Sequence, residues 1–312
     1  TQEISETENN VAEQKVTHPL NIEYMSKQTY PGSDLVIEET LPNGSNYKRF
    51  VVSYKSEGLK INALLTVPNG EPPENGWPVI VFNHGYIPPD QYRTTERYIA
   101  YTDAFSRNGY VLLRPDYRGH GSSEGTPEGA YYSPAYTIDV LNAVSSIKKY
   151  PNVNPDKIGM WGHSMGGNIT LRSMVTTKDI KVGVIWAGVV ASYEDMANNW
   201  KRSTPWQPSA RERSVRRPSR QEIIDTYGTF ENNPSFWESI TPISHVDEIS
   251  GPVQIHHGTN DGEVPALFSE RLNEALLANN KTSELFIYPG DDHNISQNLS
   301  LALTRSVAFF DK

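Results

Sequence analysis

The chain of 312 residues has no cysteine. That excludes disulfides, thiolate metal sites and a cysteine nucleophile. No stretch of about 18 apolar residues occurs, so no membrane-spanning helix is expected. The H-E-x-x-H zinc motif is also missing. His256 and His257 are adjacent on an apolar run and would point to opposite faces of a strand, so they do not pair as metal ligands. Positive charge is in deficit, with 28 Lys and Arg against 37 Asp and Glu, a net charge of −9. This balance argues against nucleic acid as a partner. There is no internal repeat. No metal and no cofactor are expected.

What is present concentrates around Gly162-His163-Ser164-Met165-Gly166. The apolar run Lys157–Trp161 precedes it, and a helix-forming stretch follows from Asn168. A strand, a tight turn with glycine on both sides of a serine, and a helix make a nucleophile elbow. Such a turn strains the serine backbone and lifts its hydroxyl above the sheet edge, at a helix N-terminus that favours negative charge.

A serine hydroxyl needs a base, and the base needs an orienting acid. In an elbow architecture the order is Ser, then Asp or Glu, then His. Of eight histidines, His293 fits that order, on the loop after the strand-like Leu285–Tyr288. The acid is expected at Asp261, in the turn after Pro252–His257. Glu263 is its rival, while Asp291 and Asp292 lie too close in sequence to face the His293 ring. The apolar run Pro78–Asn83 leads into His84-Gly85-Tyr86. Backbone N–H groups of Tyr86 and Met165 are the expected oxyanion donors, with His84 as a structural hydrogen bonder.

These residues carry a resemblance. Asp116-Tyr117-Arg118-Gly119-His120-Gly121-Ser122-Ser123-Glu124-Gly125, the elbow with Gly167, and the run from Gly251 to His293 resemble the α/β-hydrolase superfamily. Within it, the chain is similar to prolyl-oligopeptidase-like serine hydrolases and their single-domain bacterial esterase relatives. The resemblance implies an α/β-hydrolase fold, a doubly wound, mostly parallel sheet with a helical cap.

The chain reads as an acidic tail over residues 1–14, bearing Glu3, Glu6, Glu8 and Glu13, then one hydrolase domain over 15–312. Arg49–Ser56 and Leu59–Pro68 read as two edge strands. Helices are expected near Glu96–Asn108, Pro134–Lys149 and Asn298–Phe310, and strands at Tyr110–Arg114 and Val182–Trp186. The cap is expected over about 190–247. Inside it, Lys201 to Arg220 holds seven basic residues against one acid, Glu212. That segment is either a solvated lid paired with the acidic tail or an attractor of anionic substrates.

The expected reaction is ester hydrolysis through an acyl-enzyme, on a small-molecule or polymer-linked ester, with phenolic and acetyl esters among the candidates. About 75 residues precede the Pro78 strand, too few for the propeller that confers peptide specificity in the resembled family. A peptidase is the alternative, and an inactive binding protein on the same fold a second. Five N-x-S/T sequons, two of them at Asn168 and Asn294 beside the expected machinery, speak against a glycosylating pathway. The cysteine-free chain with its polar N-terminal tail is expected to be an exported bacterial enzyme whose signal has been removed, periplasmic, secreted or tethered, with a cytoplasmic enzyme as the alternative.

Overall fold

A computed structural model describes residues 17–312. The acidic tail over 1–14 lies outside the described residues. Nine strands form one sheet: β1 (Val36–Leu41), β2 (Tyr47–Ser56), β3 (Leu59–Pro68), β4 (Trp77–Asn83), β5 (Val111–Pro115), β6 (Val153–His163), β7 (Val182–Trp186), β8 (Val253–Gly258) and β9 (Ser283–Tyr288). Their spatial order is β1-β2-β3-β5-β4-β6-β7-β8-β9. β1, β2, β3 and β5 pair antiparallel; from β5 through β9 all neighbours are parallel.

β2 and β3 join through Glu57 and Gly58, both at positive φ (50° and 82°). Two such residues make the tight hairpin turn whose twist matches the strands. The expectation that these two strands form the sheet edge is corrected: β1 covers β2, and β3 is hydrogen-bonded to β5. β1 escapes a sequence reading because five of its six residues are exposed. Without a buried face, its alternation is not set by hydrophobic patterning.

The central strands are apolar on both faces, as a parallel sheet requires. Val79 and Val81 face one core with Val111, Leu113 and Met160; Ile80 and Phe82 face another with Leu112 and Trp161. The second face is covered by α2 (Ile99–Arg107) and, at the C-terminus, by Leu299–Phe310; the first by α3 (Ala135–Ile147), α4 (Met165–Thr176) and Ala266–Ala278, with α1 (Ile22–Ser26) packed on α4. The chain is thus doubly wound, an α/β-hydrolase fold.

Between β7 and β8 there is no strand. The segment instead holds α5 (Tyr193–Asn198), α6 (Ala210–Arg213), α7 (Arg220–Tyr227) and α8 (Pro234–Ile240), then a 3-10 turn. Two of these short helices begin in capping boxes, Ser209 with Glu212 and Ser219 with Glu222. Each box satisfies two orphan N–H groups, which helices of four and eight residues need. The segment is tied to the body through Arg172 on α4. Its buried guanidinium donates to the carbonyls of Leu20 (3.0 Å) and Ile240 (2.9 Å) and to the Tyr193 hydroxyl (3.1 Å).

Candidate active site

Parallel strands end on one edge of the sheet, and loops leaving that edge surround a common crevice. β4 delivers His84-Gly85-Tyr86, β6 delivers Ser164, β8 delivers Asp261 and β9 delivers His293. Gly85, Tyr86, Ser164 and His293 line one cavity of about 240 Å³, together with Tyr98, Tyr131, His163, Trp200, Arg202 and Glu263.

Ser164 stands between β6 and α4 at φ 55°, ψ −118°. A non-glycine residue there stores about 1–3 kcal/mol of backbone strain. The surroundings hold it: the Ser164 N–H donates to the Trp186 carbonyl (2.9 Å), and its own carbonyl accepts from Gly167 (2.9 Å) and Val189 (3.1 Å). The flanking glycines are spatial necessities. A Cβ on Gly162 would lie 2.3 Å from the Gly166 carbonyl oxygen, and one on Gly166 would lie 2.0 Å from that of Asn83. Met165 opens α4, so its N–H has no partner inside the helix and is available to a developing anion.

His293 Nδ1 donates to Asp261 Oδ2 at 2.7 Å. This bond fixes the tautomer: the proton sits on Nδ1 and leaves Nε2 free to accept one. The Asp261 side chain is only 1% exposed. Its Oδ1 accepts from the backbone of Glu263 (2.8 Å) and Val264 (2.9 Å). His257 Nε2 approaches Oδ2 at 3.0 Å. Burial by itself would raise the Asp261 carboxyl; hydrogen bonds from His257 and His293 outweigh it and hold the group well below the usual carboxylate range.

The rival acids are occupied elsewhere. Glu263 forms an ion pair with Arg202. Asp291 is buried and accepts from Gln297 and Asn298 at the start of the C-terminal helix; Asp292 accepts from Asn294 and Ser296. His84 is buried between Tyr92 and Tyr117, with ring centroids at 4.5 and 4.3 Å. Burial and then the His120 ring lower its pKa, so it stays neutral as part of the scaffold. His256 bonds Tyr288 and Gln254, while His257 turns to Ser269 and Asp261, on the opposite face.

Sequence reasoning missed three contributors. His257 supports Asp261 four residues before it, and the spacing offers no signal because the turn between them is irregular. In the sequence Glu212 carries no signal beyond being the lone acid of the basic segment. Its buried carboxylate accepts from the Tyr86 hydroxyl (2.7 Å) and the Ser209 N–H (2.8 Å), and pairs with Arg217 (2.9 Å). Tyr98, at a left-handed turn with φ 50°, bonds both Gly85 and His163.

Beside the Ser164 cavity lies a larger bay of about 490 Å³. The two share Tyr86, Tyr131, Trp200 and Arg202 as walls, and Tyr132, Tyr136, Trp206 and Met165 complete the bay's apolar lining. Within the basic segment Arg202 pairs with Glu263 of the body and Arg217 with the buried Glu212, while Arg216 pairs with Glu222 at the exposed surface.

Comparison with known proteins agrees with this architecture. The family model described as the prolyl oligopeptidase family matches residues 97–312. The uncharacterized peptidase YtmA of Bacillus subtilis is 27% identical over 267 residues, covering 83% of this chain and 91% of its own. Among solved structures, an acetyl xylan esterase from Paenibacillus sp. R4 superposes with a TM-score of 0.67 at 16% identity over 92% of each chain. The acylaminoacyl peptidase of Pyrococcus horikoshii gives a TM-score of 0.67 at 19% identity, over 86% of this chain and 42% of the longer peptidase.

Proposed function

We propose that this chain, a serine hydrolase belonging to the prolyl oligopeptidase family, cleaves carboxylic esters through an acyl-enzyme on Ser164. In the proposed mechanism Ser164 Oγ attacks the ester carbonyl while His293 Nε2 takes its proton. Asp261 stabilises the imidazolium so formed. The oxyanion accepts from the N–H groups of Tyr86 and Met165. Collapse breaks the ester bond, and His293 returns the proton to the leaving alcohol. Water then repeats the sequence and releases the acid.

The observation that favours esters over peptides concerns the acids around the cavity and bay. An aminopeptidase must hold the substrate's ammonium group, which calls for a free carboxylate. Glu128, Glu212 and Glu263 line the two spaces. Glu263, the acid lining the Ser164 cavity itself, is paired with Arg202, and Glu212 with Arg217; Glu128, in the neighbouring bay, accepts from the Ser133 hydroxyl and has no cationic partner among the described residues. What the bay offers instead is aromatic surface. Apolar and aromatic walls with a few polar groups suit a bulky aromatic moiety on one side of the ester. Phenolic esters fit this chemistry better than acetyl esters do.

The second reading is a peptidase, which the name of YtmA favours. Turnover of p-nitrophenyl acetate and butyrate, a methyl hydroxycinnamate and an aminoacyl-p-nitroanilide separates the two. Faster cleavage of esters, with the aryl ester at the lowest KM, is expected. Preference for the anilide would overturn the ester reading, and no turnover of any of them would favour a binding protein.

A further inference from the structure

We infer that Tyr98 and His163 are positioning residues that lock the three loops of the machinery together. Three hydrogen bonds form one directional chain. The Gly85 N–H donates to Tyr98 Oη (2.9 Å), Tyr98 Oη–H donates to His163 Nδ1 (2.8 Å), and His163 Nε2–H donates to the His293 carbonyl (3.0 Å). The direction is forced. Gly85 can only donate and a carbonyl can only accept, so the tyrosine proton must point at Nδ1 and the imidazole proton must sit on Nε2. Burial of His163 lowers its pKa to about 3, which keeps the ring neutral in that tautomer.

The sequence position of each link is what gives the chain its meaning. Gly85 precedes Tyr86, the proposed oxyanion donor. His163 precedes Ser164. His293 is itself the base. Each end of the chain is therefore zero or one residue from an atom that must be held at hydrogen-bond range for acyl transfer. The rings of His163 and His293 also lie against each other, with centroids 4.6 Å apart.

Tyr98 is aimed into this place at a cost. Arg97 and Tyr98 are consecutive non-glycine residues at positive φ (57° and 50°). The buried Arg114 pays that cost by binding the preceding loop, donating to the carbonyls of Arg97 (2.8 Å), Glu96 (2.9 Å) and Thr94. The Tyr98 ring packs edge-on against Phe82 at 5.3 Å. Nor is there room for a different link: a Cβ on Gly85 would lie 2.8 Å from Tyr98 Oη and 3.2 Å from both His163 Nδ1 and Ser164 Cβ.

This inference rests on the serine hydrolase chemistry of Ser164 and not on the choice of ester. Its test compares Tyr98→Phe, His163→Gln and His163→Leu with the unaltered enzyme. Tyr54→Phe is the control. It also deletes a buried hydroxyl bond, to the Asp139 carbonyl (2.9 Å), outside the three loops. Two rates are read beside the thermal midpoint: phosphonylation of Ser164 by a fluorophosphonate, and turnover of p-nitrophenyl butyrate. Tyr98→Phe is expected to slow both by about ten- to a hundredfold, with KM within about twofold of the original. Tyr54→Phe, losing at least as much thermal stability, is expected to keep both rates. His163→Gln, whose side-chain amide still donates towards the His293 carbonyl, is expected to retain more activity than His163→Leu. Unchanged rates in Tyr98→Phe would overturn the inference. So would losses that simply follow the thermal midpoint across Tyr98→Phe and Tyr54→Phe, a pair that decides the matter even where a His163 variant fails to fold. Labelling without ester turnover in the unaltered enzyme would count against the ester reading alone.

Discussion

The strand-end loops and the segment between β7 and β8 are built on opposite principles. At the strand ends, backbone conformation is over-determined. Ser164 is strained and held by three backbone hydrogen bonds, glycines are required by contact, and Asp261 is enclosed by four hydrogen-bond donors. Between β7 and β8, short helices depend on capping boxes, arginine–glutamate pairs and aromatic packing. The first region can hold reacting atoms within a fraction of an ångström. The second can vary in side chains without moving them. In the proposed reading chemistry belongs to the one and substrate choice to the other, and the two meet at Tyr86, which lines the Ser164 cavity while its hydroxyl reaches Glu212.

Substitutions should divide along that line. The largest effect is expected at the strand ends. Ser164→Ala should lower kcat by about a millionfold, and Asp261→Asn by about ten-thousandfold, since the wrong His293 tautomer is then favoured. Ester assays with active-site titration check both. Asp261 also links to stability. Its folded pKa is depressed, so its contribution is fully present above the unfolded carboxyl value and fades as pH falls below about 4. The stability gap between the unaltered protein and Asp261→Asn, measured by urea unfolding, should therefore shrink from pH 5 towards pH 2.

An intermediate effect is expected where the regions meet. Glu212→Gln keeps an acceptor for Tyr86 but leaves Arg217, half-buried, without its counter-charge. A loss of about 1–3 kcal/mol in stability follows. KM for an aryl ester should rise several-fold more than KM for the acetate. Equal changes in both would blur the division between chemistry and substrate choice. The smallest effect is expected at the exposed arginines. Arg213→Ala with Arg216→Ala should leave the thermal midpoint and the KM ratio of acidic to neutral esters unchanged. A selective rise in KM for the acidic ester would restore anion attraction as a role of the basic segment.

The residues that the structure gathers at the strand ends were legible because each belongs to a local signal. Ser164 lies in a glycine-flanked turn, Asp261 in a turn after an apolar run, and His293 in a loop after another. Their chain order did the rest. β1 was not legible, since its residues are mostly exposed and carry no buried alternation. Tyr98 was not either. It sits 65 residues from His163, in a left-handed turn that no periodicity announces and whose preceding carbonyls Arg114 on β5 binds.

By itself the sequence determined the alternation of strands and helices, the doubly wound sheet and the four loops that would carry chemistry. These follow from hydrophobic period and turn chemistry, which act over a few residues. Only the tertiary structure decided which side chains hold those loops to one another, that Glu212 reaches Tyr86 on the loop after β4, and that aromatic residues from three separate segments enclose one bay. Contacts of that kind depend on where distant stretches of chain meet, and nothing local in the chain records it.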